Sequence, residues 1–168
     1  MKIFQLALAG VLMLCAILPA SAKDVPVQFV SGHTATFISE DPGGIIVDFV
    51  KKYSDMRDDG TNVVISGECV SACTLFLGVI RPEKVCVMPE AYLGFHSAST
   101  ITREPGKPDI IEHAPEFSLL EFNMYPARVR AYLAKHGWSG ANPHPEIIWV
   151  RGAQLRKFIR PCTKADLS

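Results

Sequence analysis

The chain carries no surplus of either charge. Its 17 Lys and Arg balance 17 Asp and Glu, and no run of one sign stands out. A nucleic-acid partner, which needs clustered basic surface, is therefore not expected. There is no internal repeat and no low-complexity tract, so neither a repeat array nor a compositionally biased segment is in view. Beyond the first residues, no stretch is long and apolar enough to span a bilayer. No second close Cys/His pair completes the set that Cys69 and Cys73 could begin, so zinc ranks below disulfides and no metal or cofactor is expected. Cys69-x-x-x-Cys73 also lacks the two-residue spacing of thioredoxin-like redox sites.

The one long apolar run stands at the start. Lys2 precedes an almost wholly apolar Ile3 to Leu18, Pro19 ends it, and Ala20-Ser21-Ala22 has the form of a cleavage site. This predicts a signal peptide over residues 1–22 and a mature chain from Lys23. An uncleaved anchor is the competing reading, but Gln5, Gly10 and Pro19 interrupt the stretch. Cys15 follows Leu14, which is too large for a lipoprotein signal. Residues 23–168 then make one domain, free of the membrane after cleavage and placed in the periplasm or outside the cell. Such a compartment is oxidising. Cys69, Cys73, Cys86 and Cys162 are accordingly candidates for disulfides, in a pairing the sequence does not choose.

Strand-like runs cover Val25–Phe29, Thr34–Ser39, Asn62–Ser66, Val85–Met88 and Tyr92–Phe95. Ile45, Ile46, Phe49, Val50, Tyr53 and Met56 recur at helical spacing, with Gly60 beyond the end. A second helix is expected from Ser71, and Pro115–Lys135 reads as a helix in two pieces broken at Pro126. Ser99–Pro115 reads as a loop around Pro105, Gly106 and Pro108. Glu146–Phe158 adds a short strand or helix. Leu119, Leu120, Phe122, Met124 and Tyr125 read as core, or alternatively as an oligomer surface. Strands alternating with helices predict an α/β fold with a mainly parallel sheet.

Ser71 falls where an apolar strand gives way to a helix, in Gly67-Glu68-Cys69-Val70-Ser71-Ala72-Cys73. Such a junction exposes a side-chain oxygen beside unpaired helix N–H groups. The Ala72 N–H is one oxyanion-donor candidate. Gly43 or Gly44, in Asp41-Pro42-Gly43-Gly44, supplies another, because a glycine turn presents an N–H without side-chain obstruction. His96, at the end of a strand, is the candidate general base that a serine nucleophile requires. A plain helix cap at Ser71 and a structural histidine are the competing assignments.

The combination of Asp41-Pro42-Gly43-Gly44, an amphipathic helix, strand-Gly67-x-x-x-Ser71-Ala72, Pro89 and Phe95-His96 resembles the Clp protease proteolytic subunit and its crotonase-superfamily relatives. The likeness runs from about Thr34 to Ala98. The closer resemblance is to exported Clp-like proteins with Cys-x-Ser-Ala-Cys and Gly-Phe-His, here Cys69 to Cys73 and Gly94 to His96. The resemblance implies a spiral of ββα units, N-terminally shortened here, with Ser71 as nucleophile and His96 as base. It also implies an orienting acid well beyond the histidine. Counting forward reaches Glu146, while Asp109 and Glu112 are weaker candidates. The expected function is an exported, peptidase-like serine hydrolase acting on a peptide or protein through an acyl-enzyme, in a possible homo-oligomer. The alternative is a non-catalytic, disulfide-stabilised module that binds a peptide or partner protein in the same cleft.

Overall fold

The computed structural model of the protein describes residues 35–167; the signal peptide expected over residues 1–22 and the strand expected at Val25–Phe29 lie outside the described residues. In chain order the elements begin with β1 (Ala35–Asp41), α1 (Ile46–Asp58) and β2 (Asn62–Val70). A 3-10 turn, Ser71–Leu75, leads into the short α2 (Phe76–Val79). Then come β3 (Val85–Val87), β4 (Tyr92–Phe95), β5 (Ser99–Thr102), β6 (Ile110–His113), α3 (Pro115–Met124), α4 (Ala127–Lys135), β7 (Ile148–Arg151) and α5 (Gly152–Leu155).

The architecture is mixed α/β around a mostly parallel sheet, as the alternating pattern predicts. β2 lies parallel to β1, β3 and β4, and β7 closes the far side of β4 antiparallel. β3 and β4 share one edge of β2 end to end: β3 pairs with Val63–Ile65, and β4 with Glu68–Val70. The turn after Met88, whose N–H still bonds the Ile65 carbonyl, separates them. On the other edge, the register with β1 shifts between Ile38 and Glu40, where Ser66 and Gly67 of β2 stand against Ser39 alone. Gly67 lies within this β2 bulge, and a Cβ there would meet the Ser39 carbonyl at 2.1 Å, so only glycine lets the strands approach.

α1 forms where apolar residues return every three or four positions. Tyr53 is fully buried, and Ile46, Phe49, Val50 and Met56 pack beside it on the core. The β-branched run Val63-Val64-Ile65 is wholly buried, as a central strand covered on both faces requires. Trp138 is fully buried with Phe122 and Tyr125 edge-on to its ring. Gly137, at φ 95°, makes the turn that brings it in.

Two expectations are corrected. Ser99–Pro115 is not a loop throughout: β5 and β6 form an antiparallel hairpin pairing Ser99 with His113 and Thr102 with Ile110. Pro105, Gly106 and Pro108 lie in its connection, and the flanking Thr100-Ile101-Thr102 and Ile110-Ile111 supply the β-branched residues that favour strands. The second correction concerns α3. Leu119 and Leu120 are not core residues but are 43% and 49% exposed, as is Phe117. The helix turns Ser118 and Glu121 inward instead.

The cysteines pair as Cys69–Cys73 and Cys86–Cys162. The second bridge fastens the C-terminal segment to β3, beside main-chain bonds from the Val87 N–H to the Arg160 carbonyl and from the Cys162 N–H to the Val87 carbonyl. Two disulfides fit an oxidising compartment. Among the described residues, no helix is long and apolar enough to cross a membrane.

Candidate active site

Parallel pairing sets the frame of the site. Val70 stands opposite Gly94, so β2 and β4 end side by side, with Ser71 following one and His96 the other. Ligands gather at this carboxyl end of parallel strands because the chain there turns away into loops and helix starts.

Val70 is extended, and Ser71 then takes φ 58°, making it the one non-glycine residue with positive φ among the described residues. A left-handed conformation costs such a residue roughly 1–2 kcal/mol and persists only where its surroundings impose it. They do so here in several ways. The Cys69–Cys73 bridge spans the turn. The Tyr53 hydroxyl donates to the Cys73 carbonyl at 2.8 Å, and the Thr74 hydroxyl donates to the Ser71 carbonyl at 2.7 Å. The Thr74 oxygen in turn lies 2.6 Å from the Tyr125 hydroxyl, which reaches Glu121 at 2.7 Å. Ser71 itself remains half-buried, while Ala72 to Leu75 are buried.

The glycine turn closes on the same point. Gly43 has φ 84°, and a Cβ there would meet the Val70 carbonyl at 2.6 Å, the Ser71 Cβ at 2.8 Å and the Ala72 nitrogen at 2.9 Å. Its own N–H donates to the Asp41 carboxylate at 3.0 Å. Gly44 follows with an N–H that finds no partner among the described residues. Of the oxyanion candidates, Gly43 therefore serves by permitting close approach, leaving Gly44 and Ala72 as the available N–H groups. Gly43→Ala is expected to push the Ser71 turn away and to lower reactivity at Ser71 about 100-fold, the scale of losing an oxyanion donor. Labelling kinetics with a fluorophosphonate, beside circular dichroism to establish folding, would measure this; an unchanged rate would reject the tight approach.

His96 is half-buried, and its Nδ1 lies 2.8 Å from the Ser97 carbonyl. A carbonyl only accepts, so Nδ1 carries the proton and the neutral ring keeps a lone pair on Nε2. Ser97 is fixed by the loop before β7: its N–H donates to the His144 carbonyl, and its hydroxyl accepts the His144 N–H, each at 2.9 Å. Ser71 and His96 share no hydrogen bond in this structure. Hydrogen bonds of this kind are often made only once substrate is bound.

Glu146 is exposed, and its side chain makes no hydrogen bond among the described residues; its main-chain carbonyl accepts from His144. The orienting partner of His96 is the Ser97 carbonyl and not this carboxylate. Asp109 pairs with Arg103 in the hairpin and Glu112 is exposed on β6, so neither is bonded to His96. His144 forms a stiff turn through the Glu146 and His136 carbonyls. Among the described residues, no cluster of His, Cys, Asp and Glu could hold a metal ion. A groove of about 510 Å³ lies elsewhere, between Leu77, Ile80, Phe158 and the basic Arg128, Arg156 and Lys157.

From sequence, Tyr53 and Tyr125 read only as packing residues, and Thr74 and Glu121 do not stand out. Glu121 is 1% exposed, and burial pushes its carboxyl up to about 7. Burial, followed by the charge of Glu121, holds the Tyr125 hydroxyl well above its usual value. Ser118, Glu121 and Tyr125 share a face by their three- and four-residue spacing, but nothing in the sequence marks that face as turned inward. Scanned against protein-family models and compared with curated proteins, the chain matches none.

Proposed function

We propose that the protein is an exported, peptidase-like serine hydrolase of the Clp/crotonase type, its ββα spiral N-terminally shortened, resident in the periplasm or secreted. The observation that carries this reading is the left-handed Ser71, at the end of β2, pressed against the Gly43 turn. A strained serine turn is stabilised only by surroundings that over-determine it, and such strain gathers at functional sites.

In this reading, His96 Nε2 takes the Ser71 proton as Oγ attacks a peptide or protein carbonyl. The Ala72 and Gly44 N–H groups receive the oxyanion. His96 then returns the proton to the leaving amine, and water releases the acyl group by the reverse sequence. The Ser97 carbonyl holds the imidazole in the required tautomer. A main-chain carbonyl stabilises imidazolium less than a carboxylate does, so a modest turnover is expected. The exposed Phe117, Leu119 and Leu120 support self-association.

The second reading is a non-catalytic module that binds a peptide or partner in the same cleft. Two observations favour it: no hydrogen bond joins Ser71 to His96, and a carbonyl stands where a carboxylate would orient the base. One experiment separates the two. Purified protein is treated with a fluorophosphonate beside Ser71→Ala and His96→Ala. Stoichiometric labelling of the wild type, absent in Ser71→Ala and about 100-fold slower in His96→Ala, is expected for the hydrolase. Equal labelling of wild type and Ser71→Ala, or no labelling of the folded wild type, counts against the hydrolase.

A further inference from the structure

Three oxygen-to-oxygen contacts run in a line from α3 to the candidate nucleophile. Glu121 Oε1 lies 2.7 Å from Tyr125 Oη, which lies 2.6 Å from Thr74 Oγ1, which lies 2.7 Å from the Ser71 carbonyl. Each short contact needs one proton between its oxygens. Tyr125 and Thr74 bring one each, and the Ser71 carbonyl brings none. An ionised Glu121 therefore leaves the line one proton short, with two lone pairs facing at a buried contact. A protonated Glu121 completes it: Glu121 donates to Tyr125, Tyr125 to Thr74, and Thr74 to Ser71.

We propose that Glu121 is a positioning residue for Ser71: its carboxyl proton heads this donor chain, and loss of that proton loosens the turn that carries Ser71. The inference rests on Ser71 being the reactive residue of the proposed hydrolase, and it adds a proton-controlled setting of that site. Once Glu121 ionises, the Tyr125 proton is drawn to the carboxylate. Thr74 must then either turn to Tyr125 and abandon the Ser71 carbonyl, or hold that carbonyl against a repulsive neighbour. Burial, which favours the neutral form, outweighs the Tyr125 hydrogen bond that favours the carboxylate and raises the carboxyl to about 7, in the same sense as the proton count.

The groups facing this chain come from several elements. From α1, Tyr53 acts on Tyr125 through charge and donates to the Cys73 carbonyl. From β6, His113 bonds Ser118, one turn before Glu121. Phe95 of β4 and Trp138 pack on the Tyr125 ring and do not titrate. Glu121 makes no ion pair among the described residues. The Cys69–Cys73 bridge and Tyr53 still hold the turn when the chain breaks, so the turn is loosened and not unfolded.

Glu121→Gln supplies the test, because its amide donates to Tyr125 at every pH and keeps the chain complete. Carbon NMR of the Glu121 carboxyl, with the amide signals of Ser71 and Ala72, is followed as pH rises through about 7. In wild type the amide signals are expected to move with the midpoint of Glu121, and in Glu121→Gln that step is expected to vanish. Amide signals that ignore the Glu121 midpoint, or that move alike in both proteins, overturn the proposal. The wild-type signals alone decide the matter should Glu121→Gln fail to fold. Fluorophosphonate labelling is measured in parallel. The ratio of wild-type to Glu121→Gln rates is expected to fall about fivefold to tenfold across the same range, the scale of one lost hydrogen bond. A constant ratio in a protein that labels defeats the positioning role and leaves the hydrolase standing. Amide signals that track Glu121 in a protein that never labels defeat the hydrolase and leave the donor chain standing.

Discussion

Replacing both Cys86 and Cys162 by alanine is expected to lower stability by about 4 kcal/mol. The two residues are 76 apart in sequence, so the bridge closes a long loop and removes much freedom from the unfolded chain. The bridge also closes a short junction. β3 has three residues, and the segment 160–162 meets it through two main-chain bonds. The Arg160–Asp166 pair next to them is bidentate, and Arg160 also donates to the Glu83 carbonyl just before β3. A loss of this size is a large part of the 5–15 kcal/mol typical of a whole domain. Urea unfolding of the oxidised wild type and the double variant would measure it; a loss below about 1 kcal/mol would show that the C-terminal segment is held by other means. The Cys69–Cys73 bridge spans a separation of only 4, so its removal is expected to disturb Ser71 more than overall stability.

Stability is also expected to fall as pH rises from mildly acidic to mildly alkaline, by about 3 kcal/mol from Glu121 alone. The carboxyl sits at 4.5 in the unfolded chain and is pushed up to about 7 in the fold, by burial first. Below 4.5 both states hold the proton, and the contribution is complete. Between 4.5 and 7 the unfolded chain releases it while the folded chain keeps it, so unfolding becomes easier with each step in pH. Above 7 both states are ionised, and the loss levels off. Glu121→Gln cannot release a proton and is expected to remove this slope. Urea midpoints of the two proteins near pH 5 and near pH 8 give the comparison; equal slopes would mean that Glu121 is ionised throughout.

Much of the sheet is legible in the sequence, because Val63 to Ile65 and Tyr92 to Phe95 are compact apolar runs bounded by turn residues. The hairpin is not. β5 and β6 are exposed on both faces, so burial imposes no alternation, and Pro105, Gly106 and Pro108 dominate the local signal. Ile148 to Arg151 read as strand or helix alike, since a short apolar run satisfies both; its pairing with β4 decides the matter. At the site, Ser71 and Gly43 are visible because turn chemistry is local. Thr74 and Tyr125 are 51 residues apart, and nothing in either neighbourhood announces their contact. A glutamate on a helix reads as solvated; only the fold turns Glu121 inward and Leu119 and Leu120 outward.

Because β2 meets β3 along its first half and β4 along its second, a division of labour runs along a single strand. Val63 to Ile65 join the edge that the long-range bridge secures, and they anchor the scaffold. Glu68 to Val70 lead directly to the strained serine and lie beside the strand that carries the histidine. Substitutions in the first half therefore belong to the cost of keeping the chain folded. Those in the second half belong to how the site is aimed, and the β2 bulge at Gly67 marks where one duty passes to the other.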